Sequence, residues 1–221
     1  MTDTGLFRLV IIGASGHGKV AIDVARACLP GCELMLADDG DCDPEVLGVP
    51  VVGNTDTALE LISAHTGFFI AIGNNAVRAA VSLRLSRAGA RIISLVHPQA
   101  IVSTSAQFGD GTLVMPGAII NAEARLAEGV IVNTGATVDH DCQLSRYVHL
   151  APGVNLAGGV CVGEYGFIGI GSQVIQQVRI GAQSIVGAGS TVISDLPDQS
   201  TAVGCPAKII KIKNKKVGVT C

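Results

Sequence analysis

The sequence predicts a small α/β domain followed by a parallel β-helix of hexapeptide repeats, and three observations carry that reading. From Val102 to Val192 the first position of each hexad is apolar sixteen times in register. The fifth position of each repeat is small or β-branched until Leu196 breaks the series. Ahead of the repeat, apolar strand-like runs alternate with helical segments over about ninety residues, the pattern of a parallel sheet with crossover helices.

In chain order, residues 8–13 (Arg-Leu-Val-Ile-Ile-Gly) read as a buried strand. Ala14-Ser15-Gly16-His17-Gly18-Lys19 reads as a turn opening a helix to residue 28. A second strand, Leu34–Ala37, ends at Asp38-Asp39. After Gly48–Gly53 a helix is predicted over Thr55–Ala64, a strand over Phe68–Ile72, and a helix from Gly73-Asn74-Asn75 to Arg87. Arg91–Val96 reads as a further strand, and His97-Pro98 marks the junction because the residue before proline leaves helical space. The domains expected are therefore 1–97, 98–207 and a basic tail at 208–221.

In such sheets ligands sit beyond the carboxyl ends of strands, at glycine turns and helix N-termini. Ser15-Gly16-His17, Asp38-Asp39 and Gly73-Asn74-Asn75 occupy those ends. Gly13, Gly16 and Gly18 form G-x-x-G-x-G, not the G-x-G-x-x-G of dinucleotide sites. Close strand–helix packing would account for the glycines, though not for His17, and Asp38-Asp39 alone would read as a solvated turn.

Hexapeptide repeats stack because no single repeat can bury its apolar residue alone. Three repeats close one coil, so residues eighteen apart lie one above the other. The second hexad position is rich in Gly and Asn (Gly109, Asn121, Asn133, Gly163, Gly169), which suggests positive φ there. His140 falls in the third position, an outward column shared with Asp110, Glu128, Arg146 and Glu164. It is flanked by Asp139 and Asp141, and its neighbours one coil away are Ala122 and Gly158. An exposed imidazole with carboxylate company above a vacancy suits a general base, since an acid neighbour raises its pKa toward working pH. The alternative is an ordinary surface histidine. Cys142 shares the small fifth-position column and should point inward, which argues against a covalent acyl-enzyme and for direct transfer in a ternary complex. His140 and His149 lie in different columns, and the repeat holds no third histidine for a zinc site, so no metal is expected.

The seven cysteines are scattered without a tight C-x-x-C pair and read as free thiols of a reducing compartment. A formal net charge of -3 argues against a nucleic-acid partner. No apolar run approaches a membrane span, and Met1-Thr2-Asp3-Thr4 lacks the basic start of a signal peptide, so a cytoplasmic protein without membrane contact is expected. The segment Lys208–Lys216 is basic and reads as a solvated terminus, with contact to phosphate as the alternative.

Gly13–Gly18, Ala71-Ile-Gly-Asn-Asn75, Val138-Asp-His-Asp-Cys142, Asn121-Ala122, Ala157-Gly-Gly159 and Gly204-Cys-Pro-Ala-Lys208, in collinear order, resemble the sugar O-acyltransferase, sialic acid synthesis-type family of left-handed β-helix enzymes. Within that family the chain is most similar to bacterial N-acetyltransferases acting on the 4-amino group of UDP-linked amino sugars of bacillosamine-type biosynthesis. The resemblance implies a left-handed coil, acetyl-CoA as co-substrate and a homotrimer, which would also cover outward-facing Val and Ile. It implies His140 as base and Asp141, in preference to Asp139, as the acid that strengthens it. It also implies sugar-nucleotide contacts at Ser15, Gly16, His17, Asp38, Asp39 and Gly73, and acetyl-CoA contacts at His149, Ile170 and Ala188, where the family has a glycine at the last. An O-acetyltransferase, an enzyme for GDP-linked amino sugars, and a non-catalytic nucleotide-sugar-binding scaffold are the rival readings.

Overall fold

The computed structural model describes residues 6–213. Met1-Thr2-Asp3-Thr4 and the end of the basic segment, residues 214–221, lie outside the described residues. The front domain runs β1 (Arg8–Ile12), α1 (Gly16–Cys28), β2 (Glu33–Ala37), β3 (Glu45–Val46), β4 (Val49–Pro50), α2 (Thr55–Leu59), β5 (Thr66–Ile70), α3 (Asn75–Arg87) and β6 (Arg91–Ile92). Its sheet is parallel with order β2-β1-β5-β6. β1 and β5 are central and nearly wholly buried, which is why they read as unbroken apolar runs. α2 stops at Leu59 instead of reaching Ala64, and Leu61 and Ile62 turn into the sheet's core cluster as single turns. The run expected from Arg91 to Val96 is broken: Arg91–Ile92 pairs with β5, and Leu95–Val96 pairs with Leu113–Val114 to begin the coil.

The repeat region is a three-faced parallel solenoid whose pairs are all eighteen apart, for example Ile131 on His149 and Thr137 on Asn155. Face one carries Leu95–Val96, Leu113–Val114, Ile131–Val132, His149–Leu150, Phe167–Ile168 and Ile185–Val186. Face two runs from Ile101–Val102 to Thr191–Val192, and face three from Gln107–Phe108 to Arg179–Ile180. First- and fifth-position residues fill the interior, from Val114 and Ala118 to Val192 and Leu196. Beyond the coil, Ser200–Val203 extends face one and Lys208–Ile212 folds back antiparallel on it. Lys208–Ile212, expected as a solvated terminus, is exposed throughout but ordered as a strand.

The corners correct one expectation. Positive φ falls on the fourth hexad position, at every such residue from Gly111 to Gly189, including Glu123, Asp141 and Tyr147. Second-position glycines are there for close approach instead. A Cβ on Gly109 would lie 2.4 Å from the Glu128 amide nitrogen, and one on Gly163 2.5 Å from that of Ala182. At these two corners the backbone of the next coil leaves no room for a side chain, so glycine there answers to packing and not to φ.

The front domain docks on face one and on the edge between faces three and one. Leu95, Leu113, Met115 and Ile131 join the cluster that buries Leu9, Ile11 and Ile22. Arg78 and Asn75 of α3 cross the same junction with hydrogen bonds to Gly129, Tyr147, Tyr165 and Gly166. No helix among the described residues is long and apolar enough to cross a membrane.

Candidate active site

At the first glycine turn, Gly13 and Gly18 are packing glycines, since added Cβ atoms would fall 2.6 Å from Ala71 O and 2.2 Å from Gly13 O. Gly16 faces open space. Ser15 precedes α1 without a side-chain cap bond and is exposed, so its hydroxyl is available. Asp38 closes the turn: Oδ2 accepts from Ala14 N at 2.6 Å and Oδ1 from Gly40 N at 2.8 Å. Asp39 Oδ1 accepts from Thr55 N at 2.7 Å and so holds the start of α2. A cavity of about 410 Å³ is lined by Ser15, Gly16, Lys19, Asp38 and the Asp41–Leu47 loop. Ser15, Gly16 and Asp38 therefore share one cavity that Asp39, His17 and Gly73 do not line.

His17 turns the other way, toward face one, with its ring centroid 6.1 Å from that of His149. His149 is buried on its strand; Nδ1 lies 3.3 Å from Gly73 O, Nε2 lies 3.3 Å from Asn133 Nδ2, and Phe167 packs edge-on. Burial first, and the Arg78 guanidinium second, push both histidines down to about 4. Both are neutral near pH 7; His149 hydrogen-bonds Gly73 O and Asn133, whereas the buried Nε2 of His17 meets no partner among the described residues. Gly73 also borders a larger cavity of about 830 Å³ between α3 and the edge bearing Arg146, Tyr147 and Tyr165.

His140 stands on the edge between faces two and three. Its side chain is 62% exposed, and Nδ1 lies 2.7 Å from Asp141 Oδ2. Asp141 occupies a fourth position at φ +59°, a left-handed turn that aims its carboxylate back along the edge. Asp139 does a different job: its Oδ1 accepts from His140 N at 2.7 Å and from Asn121 Nδ2 at 2.9 Å. The Asn121 bond, with that of the His140 amide, holds the Asp139 carboxyl below the usual range. The bond to Asp141 and the nearby Asp139 charge raise the His140 pKa. With Nδ1–H donated to Asp141, the lone pair resides on Nε2. Nε2 and Cε1 pass directly over Gly158, where a Cβ would lie 2.5 Å from each. Cys142 points inward, donates to Ala157 O at 3.2 Å and is pushed up to about 11 by burial, so it is no nucleophile.

Ile170 and Ala188 are exposed on a third edge, between faces one and two, one above the other: Gly189 N donates to Ile170 O at 2.8 Å. Within one chain the solenoid therefore sets its base on one edge, the Ile170–Ala188 column on another, and the glycine turns against face one. Among the described residues no group of three or more His, Cys, Asp or Glu side chains is arranged to hold a metal ion. Arg78 is a functional candidate the sequence did not disclose, because a charged residue on a helix reads as solvated until its helix is docked; Asn75, in the Gly73-Asn74-Asn75 turn the sequence does single out, is its partner.

A triangular hexapeptide coil with an acid-paired edge histidine, joined to a nucleotide-binding type of α/β domain, defines the sugar acetyltransferase class of β-solenoids. The model of the PglD N-terminal domain matches residues 8–85. The acetyltransferase domain of PglB from Neisseria gonorrhoeae, solved in complex with acetyl coenzyme A, superposes with a TM-score of 0.89 at 40% identity, covering 93% of this chain and 100% of that one. PerB from Caulobacter crescentus, in complex with CoA and GDP-perosamine, gives 0.87 at 45% identity over 92% and 97%. The UDP-N-acetylbacillosamine N-acetyltransferase of Bacillus subtilis is 44% identical over 110 residues, 48% of this chain and 50% of the relative, so the match spans half that relative's length. The chain belongs to the PglB/PerB-type family of left-handed β-helix sugar acetyltransferases.

Proposed function

We propose that this protein transfers acetyl from acetyl-CoA to the 4-amino group of a UDP-linked amino-deoxy sugar, with His140 as general base. The observation that carries the reading is the Asp141–His140 pair at 2.7 Å, with the free ring nitrogen presented over Gly158. The sugar amine attacks the thioester carbonyl carbon while Nε2 takes the amine proton. The tetrahedral oxyanion accepts hydrogen bonds from main-chain N–H groups of the glycine-rich corners. The C–S bond then breaks, and the proton passes from His140 to the departing CoA sulfur. Ser15, Gly16, His17, Asp38 and Gly73 hold the nucleotide sugar, and His149, Ile170 and Ala188 the pantetheine arm. Because these groups lie on separate edges of one chain, the working unit is a homotrimer in which His140 of one copy faces the glycine turns of the next. Exposed Ile101, Ile170, Ile175 and Ile193 supply the apolar surface for that contact.

The PerB complex favours a second reading of the nucleotide, GDP in place of UDP. The test is a panel of UDP- and GDP-linked 4-amino and 4-hydroxy sugars with acetyl-CoA, read as free thiol. The result expected is thiol release with a UDP-linked 4-amino sugar. Release with the 4-hydroxy sugars alone overturns N-acetylation in favour of O-acetylation, and binding without any thiol release makes the protein a scaffold.

A further inference from the structure

Arg78 is 1% exposed and lies at the centre of the junction between α3 and the solenoid. Its five N–H groups have five acceptors and no carboxylate among them. Nε donates to Gly129 O at 3.0 Å, Nη1 to Ile72 O at 2.9 Å and Gly73 O at 3.3 Å, and Nη2 to Asn75 Oδ1 at 2.9 Å and Tyr147 O at 3.0 Å. Asn75 Nδ2 continues upward to Tyr165 O and Gly166 O. Gly129, Tyr147 and Tyr165 are one coil apart in turn, so the pair grips three successive coils. A buried cation held only by neutral carbonyls is costly compared with a paired one. Its burial lowers its own pKa to about 10.

The two carbonyls that meet at Nη1 belong to consecutive residues, Ile72 and Gly73. In a trans peptide the N–H points opposite to the preceding C=O. Pinning Ile72 O and Gly73 O inward therefore turns the Gly73 and Asn74 N–H groups outward, and His149 reinforces the second peptide through Gly73 O. Among the described residues neither N–H meets a protein acceptor. Gly73 carries no side chain, and a Cβ there would meet nothing within 4 Å, so the approach to both donors is open. Successive outward N–H groups form a concavity that accepts phosphate oxygens.

We infer that Arg78 is the positioning residue for the diphosphate of the nucleotide sugar: it locks the Ile72–Asn74 peptides so that two N–H groups face the ligand, and Asn75 keys that lock to the coil. This rests on the proposed function and adds the residue that orients its phosphate donors. The test uses the full chain and compares Kd for a nucleoside diphosphate, UDP and GDP in parallel, with Kd for the corresponding nucleoside. Arg78→Lys keeps the charge and loses the fork, so the preference for diphosphate over nucleoside should fall about tenfold, with acetyl-CoA affinity within about twofold of the parent. Asn75→Ala leaves the guanidinium in place and should lose about threefold, and it decides the matter if the lysine variant does not fold. Val174→Ala in the coil core is the control for general destabilisation: it should lower Tm and leave the preference intact. If Arg78→Lys folds, or if Asn75→Ala must decide, and the preference is unchanged while Tm drops, Arg78 is a domain bolt only and the inference falls. If the parent protein binds no nucleoside diphosphate and acetylates no amino-sugar nucleotide, the proposed function itself is what has failed.

Discussion

Gly158→Ala tests the base without touching it. Gly158 has no positive φ to protect, so alanine brings no backbone strain, only a methyl group. That methyl carbon would stand 2.5 Å from both Nε2 and Cε1 of His140, and 3.2 Å from Cδ2, where ordinary contact begins near 3.4 Å. The ring must withdraw by about 1 Å, and Asp141, bonded to Nδ1 at 2.7 Å, makes it pivot rather than slide. A displacement of about 1 Å at a reacting group costs on the order of 100-fold in rate. The ring is mostly solvent-exposed, so it moves outward without opening a cavity and Tm should change little. The assay is thiol release at saturating acetyl-CoA and acceptor sugar, beside a thermal melt. A kcat within about twofold of the parent, with the fold intact, would refute the placement of Nε2 as the proton acceptor.

Further outcomes follow from the same geometry. His140→Ala should lower kcat by about two to four orders of magnitude with the melt unchanged. The base must be unprotonated, so kcat/KM should rise with pH through the raised His140 pKa; Asp141→Asn should move that limb to lower pH and reduce the plateau, and an unmoved limb would assign it to another group. His17 and His149 have folded pKa values near 4, below their unfolded 6.5, so the unfolded chain binds more protons between those values. Stability should be complete above pH 6.5 and fall as pH drops toward 4, by an order of 3 kcal/mol for each histidine, measurable by denaturant titration across that range. Gly163→Ala, whose methyl meets the Ala182 backbone at 2.5 Å, should destabilise by roughly 2–4 kcal/mol. Gly135→Ala, at φ +63° with nothing within 4 Å, should cost only about 1–2 kcal/mol, and equal melts for the two would contradict the separate roles of second and fourth positions.

The period of six made the coil, its core columns and the outward phase of His140 readable, because each is a local consequence of register. The same register shows Cys142 to be interior, as its inward sulfur confirms. Corner conformation is not legible in the same way: glycine at the second position answers to the next coil, as Gly109 does to Glu128 and Gly163 to Ala182, a contact that composition does not reveal. The sequence predicts α2 five residues longer than it is, because the apolar Leu61 and Ile62 suit a helix as well as the single turns that carry them under the sheet. Arg78 escaped notice for a related reason. Four of its five acceptors are backbone carbonyls, of Ile72, Gly73, Gly129 and Tyr147, and a backbone carbonyl has no sequence signature. The eighteen-residue register already separates His140 from the Ile170–Ala188 column, but nothing in it says which face of the coil the front domain covers.

A coil built by repetition has an end that invites another copy, since its last rung carries unsatisfied N–H and C=O groups suited to any parallel strand. Here that rung is closed on face one by Lys208–Ile212 running in the opposite direction, with Lys208 and Lys211 along it and Lys213 just beyond. An antiparallel strand at this edge breaks the parallel register, and its like charges repel a second molecule brought end to end. On face one the charged edge therefore disfavours pairing end to end with another copy.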